Sequence, residues 1–141
     1  MQNSISRICC AGLALTAALL VACGDSGSPA TPPPPGIQPE IINSTDNFQF
    51  QVTAVDNYTG TLTYPWSNTG PAADVNQSCA VASGTVTLTL LDDNNQEVYS
   101  KDLTQDGSFA SSTGTSGNWR IRVSMWGVSG DLNFRCDKRT P

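Results

Sequence analysis

The residues that could carry chemistry in this chain are few, because the sequence contains no histidine. Ser–His–Asp and Cys–His catalysis, His-ligated zinc and imidazole general bases are therefore excluded. One cluster of oxygen ligands stands out, in which Asp92, Asp93 and Asn95 follow one another closely. Calcium takes about six to eight such ligands, so this cluster is a candidate structural calcium site, and no other cofactor is expected. The spacing matches no EF-hand loop, and a solvated tight turn, which favours Asp and Asn, accounts for the same residues.

A second candidate site is aromatic and lies near the C-terminal end. If its strand stays regular, Trp126 shares an outer face with Arg120 and Arg122. An exposed indole beside guanidinium groups can bind sugar rings or a protein partner. If Gly127 introduces a bulge instead, Trp126 turns back into the core. Trp66, at the end of an earlier predicted strand, carries the same ambiguity and joins this candidate ligand-binding set.

The five cysteines divide by position. Cys9 and Cys10 lie in an apolar N-terminal run and Cys23 lies at its end, which leaves Cys79 and Cys136. An even remainder in an exported chain predicts one structural disulfide between these two residues. A metal pair or a reactive thiol is the alternative, but no second ligand set and no CxxC motif supports it.

The elements that must position these residues have a period of two. Apolar side chains alternate with polar ones from Phe48 to Ala54, from Tyr58 to Trp66, from Val86 to Leu90, from Trp119 to Met125 and from Leu132 to Cys136. Residues 96–103 and 108–111 add two shorter strands, and Asp/Asn/Gly-rich segments such as 56–57, 92–95 and 129–131 predict turns. The fold class is therefore all-β, an antiparallel β-sandwich of about seven to eight strands over residues 41–138, with 139–141 as a tail.

The N-terminal segment is expected to be an export signal. Arg7 precedes an apolar run of residues 8–22, which is too short for a membrane span of about 20 residues. The run ends in Leu20, Val21, Ala22 and Cys23, which resembles the lipobox of bacterial lipoproteins. That resemblance implies a signal peptide over 1–22, removed before an acylated Cys23, and a chain anchored in the bacterial cell envelope, in the outer membrane. Residues 23–40 then form the lipidated cysteine and a Pro-rich linker that acts as a spacer.

The β-rich part has a further resemblance, carried by residues 84–92, 97–100, 117–123 and 127–134. A strand leads to an acidic turn, a returning strand, a Gly-x-Trp-x-Ile-x-Val strand and a Ser-Gly segment. This order resembles the small β-sandwich domains of exported bacterial proteins, particularly pre-peptidase C-terminal-type domains, over residues 80–138. The resemblance implies a jelly-roll-like accessory module without catalysis.

These observations predict a membrane-anchored, non-catalytic envelope lipoprotein with an interaction or structural module. The alternative is a carbohydrate-binding module of the cell envelope. The expected partners are the membrane, through the lipid, and an envelope glycan or protein. The net charge of −5 argues against nucleic acid, which requires a basic surface.

Overall fold

The computed structural model of the protein describes residues 36–140. Our expectations for the signal segment 1–22, the acylated Cys23 and most of the linker 23–40 concern residues outside that range. No helix within residues 36–140 is long and apolar enough to cross a membrane.

The described residues form seven strands and no helix, which confirms the all-β prediction. The strands are β1 (Glu40–Ser44), β2 (Asn47–Asn68), β3 (Ala72–Gln77), β4 (Ala80–Leu91), β5 (Glu97–Asp102), β6 (Gly107–Ala110) and β7 (Gly117–Arg139). All pairings are antiparallel and join the strands in one sheet, with β1, β2, β7, β3 and β6 adjacent in that order and β4 between β7 and β5. The expected seven to eight antiparallel strands are therefore present, in a single continuous sheet.

The sheet is organised around the two long strands β2 and β7, which pair along most of their length. The register between them shifts three times between Val52 and Gly60. These irregularities separate two halves. The amide half contains β1, β3, β6, residues 47–52 of β2 and residues 132–139 of β7. The threonine half contains β5, residues 85–91 of β4, residues 59–68 of β2 and residues 117–126 of β7.

The irregular steps on β2 and β7 face each other, and side chains of β7 hold the backbone of β2. The N–H of Ala54 donates to Asp131 Oδ1 at 2.8 Å, and the N–H of Asn57 donates to Ser129 Oγ at 2.9 Å. Ala54 and Asn57 both have positive φ, at 53° and 44°. Residues that favour turns therefore occupy bulges inside continuous strands, where an extra residue bends the strand and increases its twist. The prediction of turns at 56–57 and 129–131 is therefore wrong, because these residues lie within the continuous strands β2 and β7.

One hydrophobic core is shared by both halves. Phe48, Phe50 and Phe134 from the amide half belong to the same buried cluster as Leu88 and Leu90 from the threonine half. The rings of Phe50 and Phe134 stack with centroids 5.0 Å apart. Since side chains alternate between the faces of a strand, the inner residues fill this core and the outer ones face solvent. Ala54, expected on the inner face, is exposed because the bulge moves Val55 into the core instead.

The predicted disulfide is wrong, because Cys79 and Cys136 are both free thiols in the structure. Val75 of β3 lies opposite Cys136, and Cys79 is four residues further along the chain. Cys79 instead lies beside the backbone of Asn133, with its Sγ 3.3 Å from both the nitrogen and the oxygen. Asn133 and Cys136 are three residues apart on an extended strand, about 10 Å, whereas a disulfide requires Cα atoms within about 7 Å.

Candidate functional site

The outer surface of the threonine half brings together the largest set of candidate residues from the sequence. We call it the threonine face. It consists of Thr59, Thr61, Thr63, Thr85, Thr87, Thr89, Arg120, Arg122, Ser124 and Trp126. Thr89 is the one buried member of this set, with 8% of its surface accessible. On this face β7 lies between β2 and β4, so Arg122 has Thr63 on one side and Thr89 on the other. Side chains directly opposite each other on paired strands share a face, so threonine hydroxyls flank Arg122 on both sides. Arg120 instead lies opposite Pro65 and Leu91.

Trp126 is the most exposed large hydrophobic residue among residues 36–140, with 74% of its surface accessible. Thr85 lies opposite it on β4. Gly127 does adopt a positive φ of 59°, and its N–H donates to Thr59 Oγ1 at 2.8 Å. Trp126 stays in register with Thr85 on the β4 side, but on the β2 side it forms a bulge with Gly127, between the pairs Gly60–Met125 and Tyr58–Val128. This bulge leaves the indole on the outer face, which corrects the expectation that a bulge at Gly127 would turn Trp126 into the core.

The arginines share the face with Trp126 but do not contact its ring. Arg122 is four residues from Trp126 along β7, about 13 Å between backbone positions, and Ser124 lies between them. The cation–π pair observed among residues 36–140 joins Lys101 and Phe109, at 4.6 Å, in a different part of the sheet. Trp126, Arg122 and Arg120 are thus separate contact points on one surface rather than a stacked cluster.

Trp66 does not belong to this surface, which corrects its place in the ligand-binding set. It is 1% exposed and packs edge-on against Trp119, with ring centroids 5.8 Å apart and planes at 86°. Side chains alternate between the two faces of β2, and Trp66 lies on the inner face together with Leu62. Its indole N–H has no hydrogen-bond partner within the described residues, whereas that of Trp119 donates to the carbonyl oxygen of Thr115 at 2.7 Å.

The acidic cluster closes the connection between β4 and β5. Asp92 is buried, and its carboxylate accepts hydrogen bonds from the N–H groups of Asn94, Gln96 and Thr115 at 2.8–3.0 Å. The Thr115 N–H, followed by that of Gln96, lowers the pKa of Asp92 because these donors favour the charged carboxylate. Asn95 has a positive φ of 62°, as a tight turn requires.

The same cluster also connects the turn to the strand that carries Trp126. Asp93 Oδ1 accepts from the N–H of Asn118 in β7 at 2.8 Å. Within residues 36–140 no group of three or more acidic, cysteine or histidine side chains is placed to hold a metal ion. The geometry of Asp92, Asp93 and Asn95 is that of a turn fastened by main-chain donors, and calcium binding there stays a prediction.

A scan against protein-family models finds no match to this chain, and a search of curated proteins finds no significant relative. The resemblances to a lipobox and to pre-peptidase C-terminal-type domains therefore rest on the residues that suggested them.

Proposed function

We propose that this chain is a lipid-anchored protein of the bacterial envelope whose β-domain is a non-catalytic module that binds a protein partner. The observation that carries the proposal is the 74% exposure of Trp126 on the outer face of β7, a central strand of the sheet. A large aromatic side chain loses favourable burial when it faces water, and tryptophan is enriched among the residues that dominate binding energy at protein interfaces. We also infer that the two halves of the sheet act as the two layers of a jelly-roll-like sandwich, because they share one core.

The surroundings of Trp126 support a protein partner. Threonine hydroxyls are short and lose little side-chain entropy when they are covered. Arg120 and Arg122 extend from the same strand, and Arg120 is exposed. Arginine is enriched at interfaces because its planar guanidinium group donates several hydrogen bonds in fixed directions. The face therefore offers one apolar anchor and two charged contacts on a rigid backbone.

The tether belongs to the same proposal. Residues 24–36, between Cys23 and the buried Ile37, contain the Pro32–Pro35 run. Polyproline geometry advances about 3.1 Å per residue, so this segment could hold the domain up to about 40 Å from an acylated Cys23. Metabolic labelling with an alkyne analogue of palmitate tests the anchor: the chain should be labelled and the Cys23→Ser variant should not. Equal labelling of both would contradict the assignment of Cys23.

The partner-binding test compares two exposed hydrophobic residues. Ile42 is 57% exposed on the amide half and provides a matched control for Trp126. A photo-crosslinking residue at Thr85, opposite Trp126, should give a discrete crosslinked product in envelope preparations. Trp126→Ala should abolish that product and Ile42→Ala should leave it, with equal thermal unfolding of both variants. Loss in neither variant, or equal loss in both, would contradict the proposed surface.

The second candidate function is carbohydrate binding through Trp126, Arg120 and Arg122, as an envelope carbohydrate-binding module. It is favoured by the placement of an exposed indole next to the threonine hydroxyls, since sugar rings stack on aromatic faces and hydrogen-bond to polar neighbours. Trp66 and Trp119 are buried, so Trp126 dominates quenching of fluorescence by acrylamide. A glycan that occupies the face should reduce that quenching, measured with and without calcium. Unchanged quenching across peptidoglycan fragments and a glycan panel would reject this candidate.

A further inference from the structure

The outer surface of the amide half has a composition unlike that of the threonine face. We call it the amide face. Its polar centre consists of Asn47, Gln49, Gln51, Asn76, Ser78, Ser108, Asn133 and Arg135. On the β1 side this centre is bordered by Glu40, the exposed Ile42 and Ser44, which lie opposite Gln51, Gln49 and Asn47. Gln49, Arg135, Asn76 and Ser108 lie opposite one another on four adjacent strands, β2, β7, β3 and β6. A second row places Gln51 opposite Asn133, whose carbonyl oxygen accepts from the N–H of Ser78 at 3.0 Å.

These rows line a continuous groove. A depression of about 350 Å³ is formed by Gln49, Asn76, Asn133 and Arg135, among others. A second, of about 490 Å³, shares Asn76 and Arg135 with it, and a third, of about 410 Å³, shares Asn133. The groove therefore crosses the strands diagonally, and its length suits an extended ligand rather than a compact one.

Hydrogen bonds within the protein fix part of this surface and leave the rest available. Gln49 Nε2 donates to Asn47 Oδ1 at 3.3 Å, and Ser108 Oγ donates to Asn76 Oδ1 at 2.6 Å. The remaining carbonyl of Gln49 and amino group of Asn76 can still pair with a ligand. Within residues 36–140, the side-chain amides of Gln51 and Asn133 have no hydrogen-bond partner and supply both a donor and an acceptor. A partly immobilised amide loses less entropy on binding than a free one.

The charged side chains along the groove limit which ligands can form hydrogen bonds with these amides. Arg135 is neutralised by Asp137 at 2.7 Å, and Arg139 by Asp74 at 2.8 Å. At the other end of the groove lie Asp106 and Asp131, which accept backbone N–H groups from Cys79 and Ala54. The groove thus has no unpaired cation to attract a polyanion, and its acidic end repels one.

The lining also argues against a peptide. Extended peptides gain specificity from apolar pockets that accept alternate side chains. The central depression is lined by four amide side chains, two serines, one glycine and one arginine, and contains no apolar side chain. Apolar residues occur only at the two ends of the groove, Phe109 and Ala110 at one end and Val52, Ala80 and Leu132 at the other. A ligand that matches this lining is uncharged and carries hydroxyl groups along its length, because each hydroxyl donates and accepts as the amides do.

We propose that the amide face is a binding groove for a neutral, linear glycan, separate from the threonine face. Gln51, Asn76 and Asn133 provide the principal hydrogen bonds to sugar hydroxyls, and Arg135 spans the centre of the groove. This site does not depend on the partner-binding role of Trp126, so each can fail without the other.

Affinity electrophoresis tests the proposal with the full chain carrying Cys23→Ser, so that no acyl chain forms at that position. Gels contain mixed-linkage β-glucan, arabinoxylan, galactomannan or dextran, and dextran sulfate serves as the anionic counterpart. At least one neutral polysaccharide should retard the chain in a saturable way. Asn133→Asp, which keeps the shape but replaces a donor by an acceptor, should weaken that affinity about tenfold, the effect of losing one good hydrogen bond.

Two further variants make the result decisive. Asn76→Asp should weaken binding to a similar degree, and Trp126→Ala should leave it unchanged. Equal thermal unfolding temperatures confirm that each variant is folded. The proposal is overturned if none of the four neutral polysaccharides retards the chain, if dextran sulfate retards it as strongly, or if both Asp variants bind normally. Retardation that Trp126→Ala alone abolishes would assign the glycan to the threonine face instead.

Discussion

The thiol state of Cys79 and Cys136 gives the sharpest test of the structure, because the simplest reading of the sequence predicts the opposite. Cys136 is fully buried on the inner face of β7, and burial raises the pKa of its thiol. Cys79 is half-buried beside Asn133, and burial also raises the pKa of its thiol. A thiol with a raised pKa holds little of the reactive thiolate near neutral pH, so both residues should stay reduced and react slowly.

The two alternatives differ by a large free energy. A Cys79–Cys136 disulfide would close a loop of about 57 residues, which the chain-entropy model equates with about 4 kcal/mol of stabilisation. For a domain of this size, 1 kcal/mol shifts the melting temperature by about 4–8 °C. A reductant would therefore lower the melting temperature by more than about 15 °C if the bridge existed. The structure instead predicts no change.

Two measurements decide between them. Thermal unfolding should be the same with and without a phosphine reductant. Alkylation by iodoacetamide followed by peptide mapping should leave Cys136 unmodified in the native protein, modify Cys79 slowly, and modify both rapidly in urea. Peptide mapping resolves each cysteine, so the three N-terminal cysteines do not confuse the result. A reductant-dependent fall in melting temperature, or a Cys79–Cys136 crosslinked peptide, would refute the placement of Cys79 beside Asn133.

The remaining predictions concern the bulges and acid stability, each read out by urea unfolding. Gly130→Ala should destabilise the fold by about 2 kcal/mol, because φ is 130° and an added Cβ would collide with a main-chain carbonyl of β4; wild-type stability would argue against this bulge geometry. Ala54→Gly should instead raise stability by about 0.5–1 kcal/mol, because it relieves a φ of 53° at an exposed site; a loss of stability would contradict that backbone conformation. The hydrogen bonds that Asp46 and Asp92 accept lower the pKa values of both carboxyl groups below 3.8. The main donor is Lys138 for Asp46 and the N–H of Thr115 for Asp92. Their contribution is therefore present above about pH 4 and is lost as the pH falls through the lowered values, and Asp92→Asn should flatten this acid-induced loss; an unchanged pH profile in that variant would contradict the role of Asp92.

Much of the fold can be predicted from the sequence, because the alternation of apolar and polar residues indicates which side chains of a strand are buried. The inner residues predicted at Val86, Leu88, Leu90, Trp119 and Ile121 are all buried. The short strands expected at 96–103 and 108–111 are found as Glu97–Asp102 and Gly107–Ala110. Strand pattern is reliable here because a slip of one residue would expose the whole apolar set.

The connections could not be derived in the same way, because turn residues and bulge residues have the same chemistry. The sequence pattern predicts turns between separate strands at Asn57 and Ser129, whereas each of these residues lies within one long strand. What distinguishes the two cases is a partner on the neighbouring strand, here the hydrogen bond between Asn57 and Ser129. That contact joins residues far apart in the chain and leaves no local signal. The sequence pattern does not predict the short strands Glu40–Ser44 and Ala72–Gln77, because few of their residues alternate clearly.

The candidate sites differ in the same way, because one depends on a single strand and the other on the pairing of several strands. The alternation of inner and outer side chains predicts both the exposure of Trp126 and the burial of Trp66, and the bulge formed by Trp126 and Gly127 does not change this. The opposition of Gln49, Arg135 and Asn76 could not be foreseen, because it depends on the order of strands that are not consecutive in sequence. Surfaces built along one strand are visible in a sequence, whereas surfaces built across several strands appear only with the register.

Strand β7 contributes to both proposed surfaces, with Trp126 on the threonine face and Arg135 on the amide face. Between them lies the irregular segment that contains Gly127 and Gly130, where the sheet changes from one half to the other. The two surfaces therefore share a backbone but no side chains, and each faces away from the common core. A ligand bound to one surface can affect binding at the other only by changing the geometry of this segment. The N–H of Gly127 in this segment donates to Thr59 Oγ1, and Asp131 accepts the N–H of Ala54, so the segment is fastened to β2. The two proposed surfaces should therefore bind their ligands independently.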